Sequence, residues 1–271
     1  ETQDPKLRSW LAMESEAHMY RGAWRETTQV AQEHLPFAWS VGNWAVVLWS
    51  SAFATVAEVK LGNLDHADAL IGKALVEAAP PAGDDFPKIY PQIALGQLRL
   101  AQGANDLAMA AAKQAMSHTE RAMLPQLELG AAHRMLGEAY QAEGSYGEAV
   151  RHFEESLSIL RTIQSRPELG QSLMAYGRHK LRDDPAVGLD YMNRAVQVFA
   201  EIDADGWINE VNMLLFSGFN KVVTVPSGKF SNASLTGANT VNGPADFNVS
   251  TKPAACTAAT NVVWSFDFTA L

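Results

Sequence analysis

The side chains that carry most enzyme chemistry are present in this chain, but their spacing does not assemble a site. No His-x-x-x-His or His-Glu-x-x-His spacing occurs, which would place two imidazoles on one face of a helix for a metal ion. The nucleophile motif Gly-x-Ser-x-Gly is also absent. The sequence therefore predicts a protein with no metal site, no cofactor and no enzymatic activity. The seven histidines are His18, His34, His66, His118, His133, His152 and His179.

Two short motifs come closer to ion-binding or phosphate-binding loops. Pro226-Ser227-Gly228-Lys229 lacks the leading glycine and the following helix that a phosphate loop needs. The acidic pairs Asp84-Asp85 and Asp183-Asp184 lack the regularly spaced oxygens and the distal glutamate of a calcium loop. We expect these aspartates to cap helices or to be solvated.

Composition limits the partners of this chain. It has 271 residues, 47% of them hydrophobic, and a net charge of -9 with a pI of about 5.3. An acidic surface disfavours nucleic acid and anionic membranes, so neither is an expected partner. The single cysteine, Cys256, excludes an internal disulfide. The longest apolar run, residues 44–57, predicts a buried helix and no membrane insertion.

A fixed period organises the first part of the chain. Three glycines lie 41 residues apart, each between two apolar helical patterns, and small residues follow them in register. The tripeptide Glu128-Leu129-Gly130 also recurs as Glu168-Leu169-Gly170, 40 residues later. Self-similarity at this period predicts a helical repeat array. The glycines are Gly62, Gly103 and Gly144, and the small residues are Ala67, Ala108, Ala149, Ala74, Ala115 and Ser156.

The clearest repeat, residues 131–163, resembles the tetratricopeptide repeat. That family's pattern is Leu-Gly, a tyrosine three residues later, and then alanine, an aromatic and a small residue in the second helix. The family norm is about 34 residues, and the longer period here is similar to the regulatory arrays of bacterial signalling ATPases. The matching residues are Leu136, Gly137, Tyr140, Ala149, Phe153 and Ser156.

The resemblance covers roughly residues 40–215 and implies a mainly α fold, a solenoid of antiparallel helix pairs. Gly137 and Ala149 are expected to let two helices cross closely, with Tyr140 and Phe153 beside the crossing and Gly144 ending the first helix at positive φ. Residues 207–215 predict a final helix that caps the array. The prolines, Pro36 among them, are expected between pairs or at helix starts.

In the family, the first helices of successive repeats line a concave groove, so the resemblance implies a protein or peptide partner there. Three of the matched side chains, Arg134, Arg178 and Arg182, are able to clamp a carboxylate. The alternative is that these positions form solvated helix faces. The matched positions are Tyr90, Ile93, Gln97, Arg134, Glu138, Gln141, Met174, Arg178 and Arg182.

Tryptophan is concentrated near the start of the chain, where five of the seven lie in the first 50 residues. Trp39, Trp44 and Trp49 are five residues apart and so spread around a helix. They predict packing between helices or, alternatively, an exposed aromatic surface for a partner.

The last part of the chain has a different composition, and we predict two domains, residues 1–216 and 217–271. The second is rich in Gly, Ser, Thr, Asn and Ala, and Trp264, Phe266 and Phe268 alternate with polar residues as in a half-buried strand. It loosely resembles the β-rich C-terminal parts of bacterial pilins and other surface proteins. A fusion of two unrelated segments is the other interpretation.

These patterns favour a non-enzymatic module that binds a protein or peptide, as the scaffold or sensor part of a larger signalling assembly. The alternative is a secreted or surface structural subunit that self-associates through its β-rich tail. The repeat array favours the cytoplasm, whereas the tail is compatible with a surface location.

Overall fold

The computed structural model of the chain describes residues 10–78, 80, 83–122, 126–222, 240–241 and 265–266. The chain divides into two compact units, Glu1–Leu214 and Leu215–Leu271. In its described part the first unit is a mainly α array of eleven helices with contacts between neighbouring helices, and the last helix continues into the second unit. The helices are α1 (Trp10–Arg21), α2 (Trp24–Ser40), α3 (Trp44–Leu61), α4 (Leu64–Glu77), α5 (Ile89–Ala101), α6 (Asn105–Arg121), α7 (Gln126–Ala142), α8 (Tyr146–Thr162), α9 (Arg166–Lys180), α10 (Pro185–Ala200) and α11 (Asp205–Val222).

A tight turn separates the two helices of each pair. In the first four pairs a glycine occupies the turn with φ between +72° and +82°, a region in which glycine pays no steric penalty. In the fifth pair Asp184 accepts a hydrogen bond from the Val187 N–H and caps α10. Successive turn residues lie 40 or 41 positions apart, and this spacing agrees with the period predicted from the sequence. The turn glycines are Gly22, Gly62, Gly103 and Gly144.

Within a pair, a glycine of the first helix lies against a large side chain of the second. A Cβ on Gly137 would lie 2.7 Å from the ring of Phe153, and a Cβ on Gly170 would lie 2.5 Å from the ring of Phe199. Both rings are fully buried. The close crossing expected at Gly137 is confirmed, and the recurring Glu-Leu-Gly tripeptide supplies a further close-contact glycine in each pair, Gly130 against Leu160 and Gly170 against Phe199.

The central helix α3 contains the long apolar run. By length and mean hydropathy, 1.3 over 18 residues, it is the one described helix that meets the criterion for a membrane span. However, 67% of that stretch is buried inside the protein, in contact with α2, α4 and α5. The expectation of a buried helix is therefore confirmed.

One proline expectation was wrong. Pro36 lies inside α2, four residues before that helix ends at Ser40. The neighbouring Ala31, Leu35 and Ala38 pack in the core. The nearby tryptophans pack between helices, as one of the two interpretations predicts. The Trp39 and Trp44 rings meet edge to face at 5.7 Å, and Trp49 packs on Phe86.

The last helix contacts both the last pair and the first pair of the array. The Trp207 ring stacks on Phe199 of α10, meets Trp24 of α2 edge to face at 4.9 Å, and donates a hydrogen bond from Nε1 to the Met19 carbonyl of α1. A Cβ on Gly206 would collide with the Gly22 carbonyl oxygen. The predicted cap is present, and in addition it joins the two ends of the array, which the sequence did not indicate.

The second unit contributes two short strands to the described residues, β1 (Thr240–Val241) and β2 (Ser265–Phe266). They pair in parallel, with Thr240 opposite Ser265 and Val241 opposite Phe266. The rest of the predicted alternating strand, including Trp264 and Phe268, and the motif at residues 226–229 lie outside the described residues. The β-rich character of this segment stays a prediction.

Two glycine-to-alanine substitutions test whether close crossings hold the array together. Gly137→Ala places a methyl group against the buried Phe153 ring, and we expect it to lower the free energy of unfolding by about 1–3 kcal/mol. Gly147→Ala on α8 meets no atom within 4 Å and should raise it by about 0.5–1 kcal/mol through helix propensity. Urea unfolding of both variants measures the difference, and effects of the same sign would contradict the packing described.

Candidate functional site

A buried ion pair joins α7 and α9, which are the first helices of the fourth and fifth helix pairs. The Arg134 guanidinium of α7 donates to the Glu168 carboxylate of α9, with Nη2 and Oε2 2.9 Å apart, and both side chains are almost fully buried. The second terminal nitrogen of Arg134 lies 3.6 Å from Glu138, one turn further along α7. Buried charges of this kind are stable only when paired, so the two helices are held in one register.

Two tyrosines connect this ion pair to α1 and α5. Tyr20 of α1 donates to Glu168 at 3.4 Å, and its oxygen lies 2.9 Å from the hydroxyl oxygen of Tyr90 on α5. With the Tyr20 proton directed at Glu168, Tyr90 is the donor to Tyr20. Burial, followed by the neighbouring groups, raises the pKa of both hydroxyls well above the ordinary value, so they remain donors. Four helices are thereby joined by one hydrogen-bonded chain.

Further carboxyl groups make this region acidic. Burial raises the pKa of Glu16 on α1, and the charge of Glu168 raises it further. Burial also raises the pKa of Glu128 on α7, with a smaller contribution from Glu168. Each of these two carboxyl groups is therefore protonated more readily than a carboxyl group in water, because another buried anion beside Glu168 would be poorly solvated.

The three arginines expected to clamp a carboxylate are each already paired within the chain. Arg178 of α9 lies 3.0 Å from Glu138, which Arg134 also approaches. Arg182 lies elsewhere, after the end of α9, where it pairs with Asp183 and covers the Tyr146 ring of α8. Arg134, Glu138 and Arg178 therefore form one charged row, and Arg182 lies outside it.

A small cavity opens among α1, α3, α5, α7 and α9. It has room for about one water molecule. Its apolar wall includes Phe53 and Val56 of α3. Its polar lining consists of Tyr90, Gln97, Arg134, Glu168 and Gln171.

The structure brings together most of the residues that the sequence places in a groove, but it buries several of them. Tyr90, Ile93, Arg134 and Met174 are buried, and Gln97 is half-buried at the cavity. Gln141 is also half-buried, and its Oε1 has no hydrogen-bond partner in the described part of the chain. Part of the face that the resemblance implies to be open is therefore buried.

Sequence reasoning missed Tyr20, Glu168 and Gln171 as members of this site. A signal for Glu168 was present, because it begins the tripeptide that repeats Glu128-Leu129-Gly130. Both glutamates are buried, so the repeated tripeptide combines a close-contact glycine with a buried carboxyl group. Tyr20 had no such signal, because its partners are 70 and 148 positions away in the chain.

A second polar cluster joins α7 to α8. His133 Nδ1 and His152 Nδ1 lie 2.9 Å apart, and His152 Nε2 lies 2.9 Å from an Arg151 nitrogen. Because Arg151 can only donate, His152 Nε2 accepts, and the His152 proton lies on Nδ1 and points at His133. Burial and then the Arg151 charge lower the pKa of His152 to about 4.

Of the acidic pairs, Asp184 caps a helix as expected, but Asp85 does not. The Asp85 carboxylate pairs with Arg121 at 2.7 Å and with His118 at 2.8 Å, both on α6. The Arg121 hydrogen bond, followed by that from His118, lowers the pKa of Asp85. This aspartate fastens the segment before α5 to α6. In the described part of the chain, no group of three or more His, Cys, Asp or Glu side chains is placed to hold a metal ion.

No protein-family model matches this chain, and no curated protein matches it. The resemblance to tetratricopeptide repeats therefore rests on the residues named above and on a helical array that is compatible with it.

The buried pair gives a prediction about stability. Arg134→Met leaves the Glu168 carboxylate without its cation, and we expect a loss of about 3–5 kcal/mol in the free energy of unfolding. Adding Glu168→Gln should recover a large part of that loss, because glutamine is neutral and still accepts from Tyr20. A double-mutant cycle by urea unfolding measures the coupling. Strictly additive losses would show that the two side chains act independently.

The histidine pair gives a prediction about pH. The folded-state pKa of His152 lies below the unfolded value of about 6.5, so its contribution to stability is complete above that pH and is lost as pH falls toward 4. Between pH 7 and 5 the wild type should lose about 1–2 kcal/mol more than His152→Gln. His18→Gln on α1 removes a half-buried histidine for which no ion pair is seen in the described part of the chain, and it serves as control. Equal pH dependence of wild type and His152→Gln would contradict the assignment.

Proposed function

We propose that this chain is a helical-repeat module that binds a protein or peptide along its first helices, as the scaffold or sensor part of a larger assembly. The observation that carries the proposal is the row of polar side chains on α5, α7 and α9. It runs from the buried Tyr90, through Arg134 and Glu138, to the exposed Arg178. One end of the row is thus fixed in the core and the other end is available to a partner.

Arg178 has the properties of a contact residue for an acidic or carbonyl-rich partner. Its side chain is 42% exposed, while that of its partner Glu138 is 14% exposed. A guanidinium held by a mostly buried carboxylate keeps free N–H donors in a restricted orientation, which lowers the entropic cost of binding.

A matched pair of charge reversals tests the proposal. Arg178→Glu changes the charge on a first helix, and Arg194→Glu changes it on the second helix of the same pair. Arg194 is 41% exposed and pairs with Asp190, so both variants remove an equally exposed, ion-paired arginine. We expect Arg178→Glu to lower the affinity for a partner recovered from the native extract by about tenfold or more. We expect Arg194→Glu to leave that affinity unchanged.

The measurement is quantitative affinity purification followed by titration of the recovered protein or peptide against each purified variant. Circular dichroism and thermal melting confirm that both variants keep the helical fold. Equal affinity of the partner for the two variants, or loss only with Arg194→Glu, would place binding on another face of the array.

A further inference from the structure

We propose that α1 occupies the binding face in place of a partner, and that the partner is an amphipathic α-helix with a lysine or arginine at the position of Glu16. The binding face is the surface that α3, α5, α7 and α9 present to α1. This inference deepens the proposed function and rests on it, since it names the class of partner and the contact that the partner has to displace.

The contacts of α1 extend across the array. In a repeat protein each repeat contacts only its neighbours, and α1 packs against α2 and α3 as expected. Its Tyr20 hydroxyl also reaches Tyr90 of α5 and Glu168 of α9, which are two and four helix pairs away. Met19 lines the cavity together with residues of α3, α5, α7 and α9. The helix α1 therefore lies against four other first helices.

The residues beside α1 include several that are predicted to bind a partner. Tyr90, Ile93, Gln97 and Arg134 line the same cavity as Met19. A peptide bound to these residues would overlap with α1, so the peptide and α1 compete for one surface. Because α1 belongs to the same chain, it is present there at a high effective concentration and keeps this surface closed.

The buried side of α1 is a weak match for this surface. Among residues 12–21 the buried side chains are Ala12, Ser15 and Met19, so one large apolar side chain anchors the helix. The Ser15 hydroxyl is fully buried and has no hydrogen-bond partner in the described part of the chain, which destabilises the docked helix. The hydroxyl oxygen of Tyr20 lies 3.4 Å from the Glu168 carboxylate, which is longer than the usual O–H···O distance.

The charge of α1 opposes the same contact. Glu16 lies one turn before Tyr20 on the same side of α1. Burial raises the pKa of Glu16, and the negative charges of Glu168 and Glu128 raise it further. A lysine or arginine at this position would be attracted by the two carboxyl groups that repel Glu16. A partner helix therefore binds better than α1 when it reverses the sign of this one charge.

The repeat shows why a cation is missing here. Glu168 of α9 pairs with Arg134 of the preceding first helix. Glu128 has the corresponding place on α7, but the Leu-Gly dipeptides of the two repeats align Arg134 with Ile93 of α5, 41 residues earlier. Glu128 is 8% exposed, and no ion pair of its carboxyl group is seen among the described residues. The partner would bring the cation that α5 lacks.

The last helix holds α1 in place despite this weak match. Trp207 of α11 donates a hydrogen bond to the Met19 carbonyl oxygen at 3.0 Å, and Gly206 lies against Gly22 in the turn after α1. Both contacts are made to the backbone at the end of α1, so they do not depend on the side chains that face the binding face. A partner therefore binds with its intrinsic affinity multiplied by the fraction of molecules in which α1 has left that face.

Fluorescent peptides added to the full chain test this proposal. One peptide has the sequence of residues 10–21, a second carries Glu16→Lys, and a third carries Glu14→Lys. The two substituted peptides have equal net charge, and the Glu14 side chain is 51% exposed, so the third peptide controls for general attraction to an acidic protein. By fluorescence anisotropy we expect the Glu16→Lys peptide to bind saturably and about tenfold more tightly than the other two.

Matched variants of the chain show whether the peptide takes the place of α1. Tyr20→Phe removes the contacts of the α1 hydroxyl with Tyr90 and Glu168, whereas Tyr191→Phe removes a hydroxyl of α10, outside the binding face. We expect Tyr20→Phe to tighten binding of the Glu16→Lys peptide about threefold or more, and Tyr191→Phe to leave it unchanged. If Tyr20→Phe does not fold, hydrogen exchange on the wild-type chain decides.

Hydrogen exchange follows the displacement of α1 directly. A saturating amount of the Glu16→Lys peptide should lower the protection of the α1 amides, while the amides of the buried α3 stay protected. Equal affinity of the two substituted peptides, no saturable binding of the Glu16→Lys peptide, or binding that leaves the α1 amides protected would overturn the proposal.

These titrations fail independently of the proposed function. The Arg178 comparison uses the partner recovered from the native extract, and none of the peptide experiments does. A recovered partner that depends on Arg178, together with failure of the peptides, would retain the proposed function and reject the displacement of α1. Peptide binding that displaces α1, together with a partner indifferent to Arg178, would retain the helix-binding face and reject the contact at Arg178.

Discussion

The close contact between a glycine of one helix and a large side chain of the next is the interaction on which the rest of the first unit depends. At Gly137 and Gly170 the backbone of the first helix lies directly against the rings of Phe153 and Phe199. Because any Cβ would collide there, the separation of the two helices is set by the sequence and not by adjustable side chains. The buried charged residues are positioned by the same helices, since Arg134 lies three residues before Gly137 and Glu168 two residues before Gly170.

The charged chain through Arg134 has a different role from these packing contacts. Replacing a buried ion pair by apolar residues is often neutral for stability, so stability alone does not account for the pair. What the pair does specify is the position of α7 relative to α9, and Tyr20 and Tyr90 add α1 and α5 to the same network. A polar network that joins four helices favours one arrangement over others, since any shift would leave a buried charge or hydroxyl unpaired.

Local signals in the sequence were sufficient for the helix pairs but not for the site. The turn at Gly144 was predictable because positive φ favours glycine, and the crossing at Gly137 was predictable because only a small residue fits against Phe153. By contrast, the contact of Gly22 with Gly206 and the hydrogen bond from Trp207 to Met19 join residues more than 180 positions apart. No local pattern in the sequence encodes such a contact.

The same difference explains why the sequence predicts that Arg134 and Arg178 are available to bind a carboxylate of a partner. Helical periodicity places Arg134 and Arg178 on one face of their helices, which is correct for the charged row they form with Glu138. Periodicity does not show that Glu168 approaches from the next first helix and occupies one end of the Arg134 guanidinium. Glu168 and Glu138 lie at the two terminal nitrogens of Arg134, so this guanidinium has no open fork with which to clamp the carboxylate of a partner.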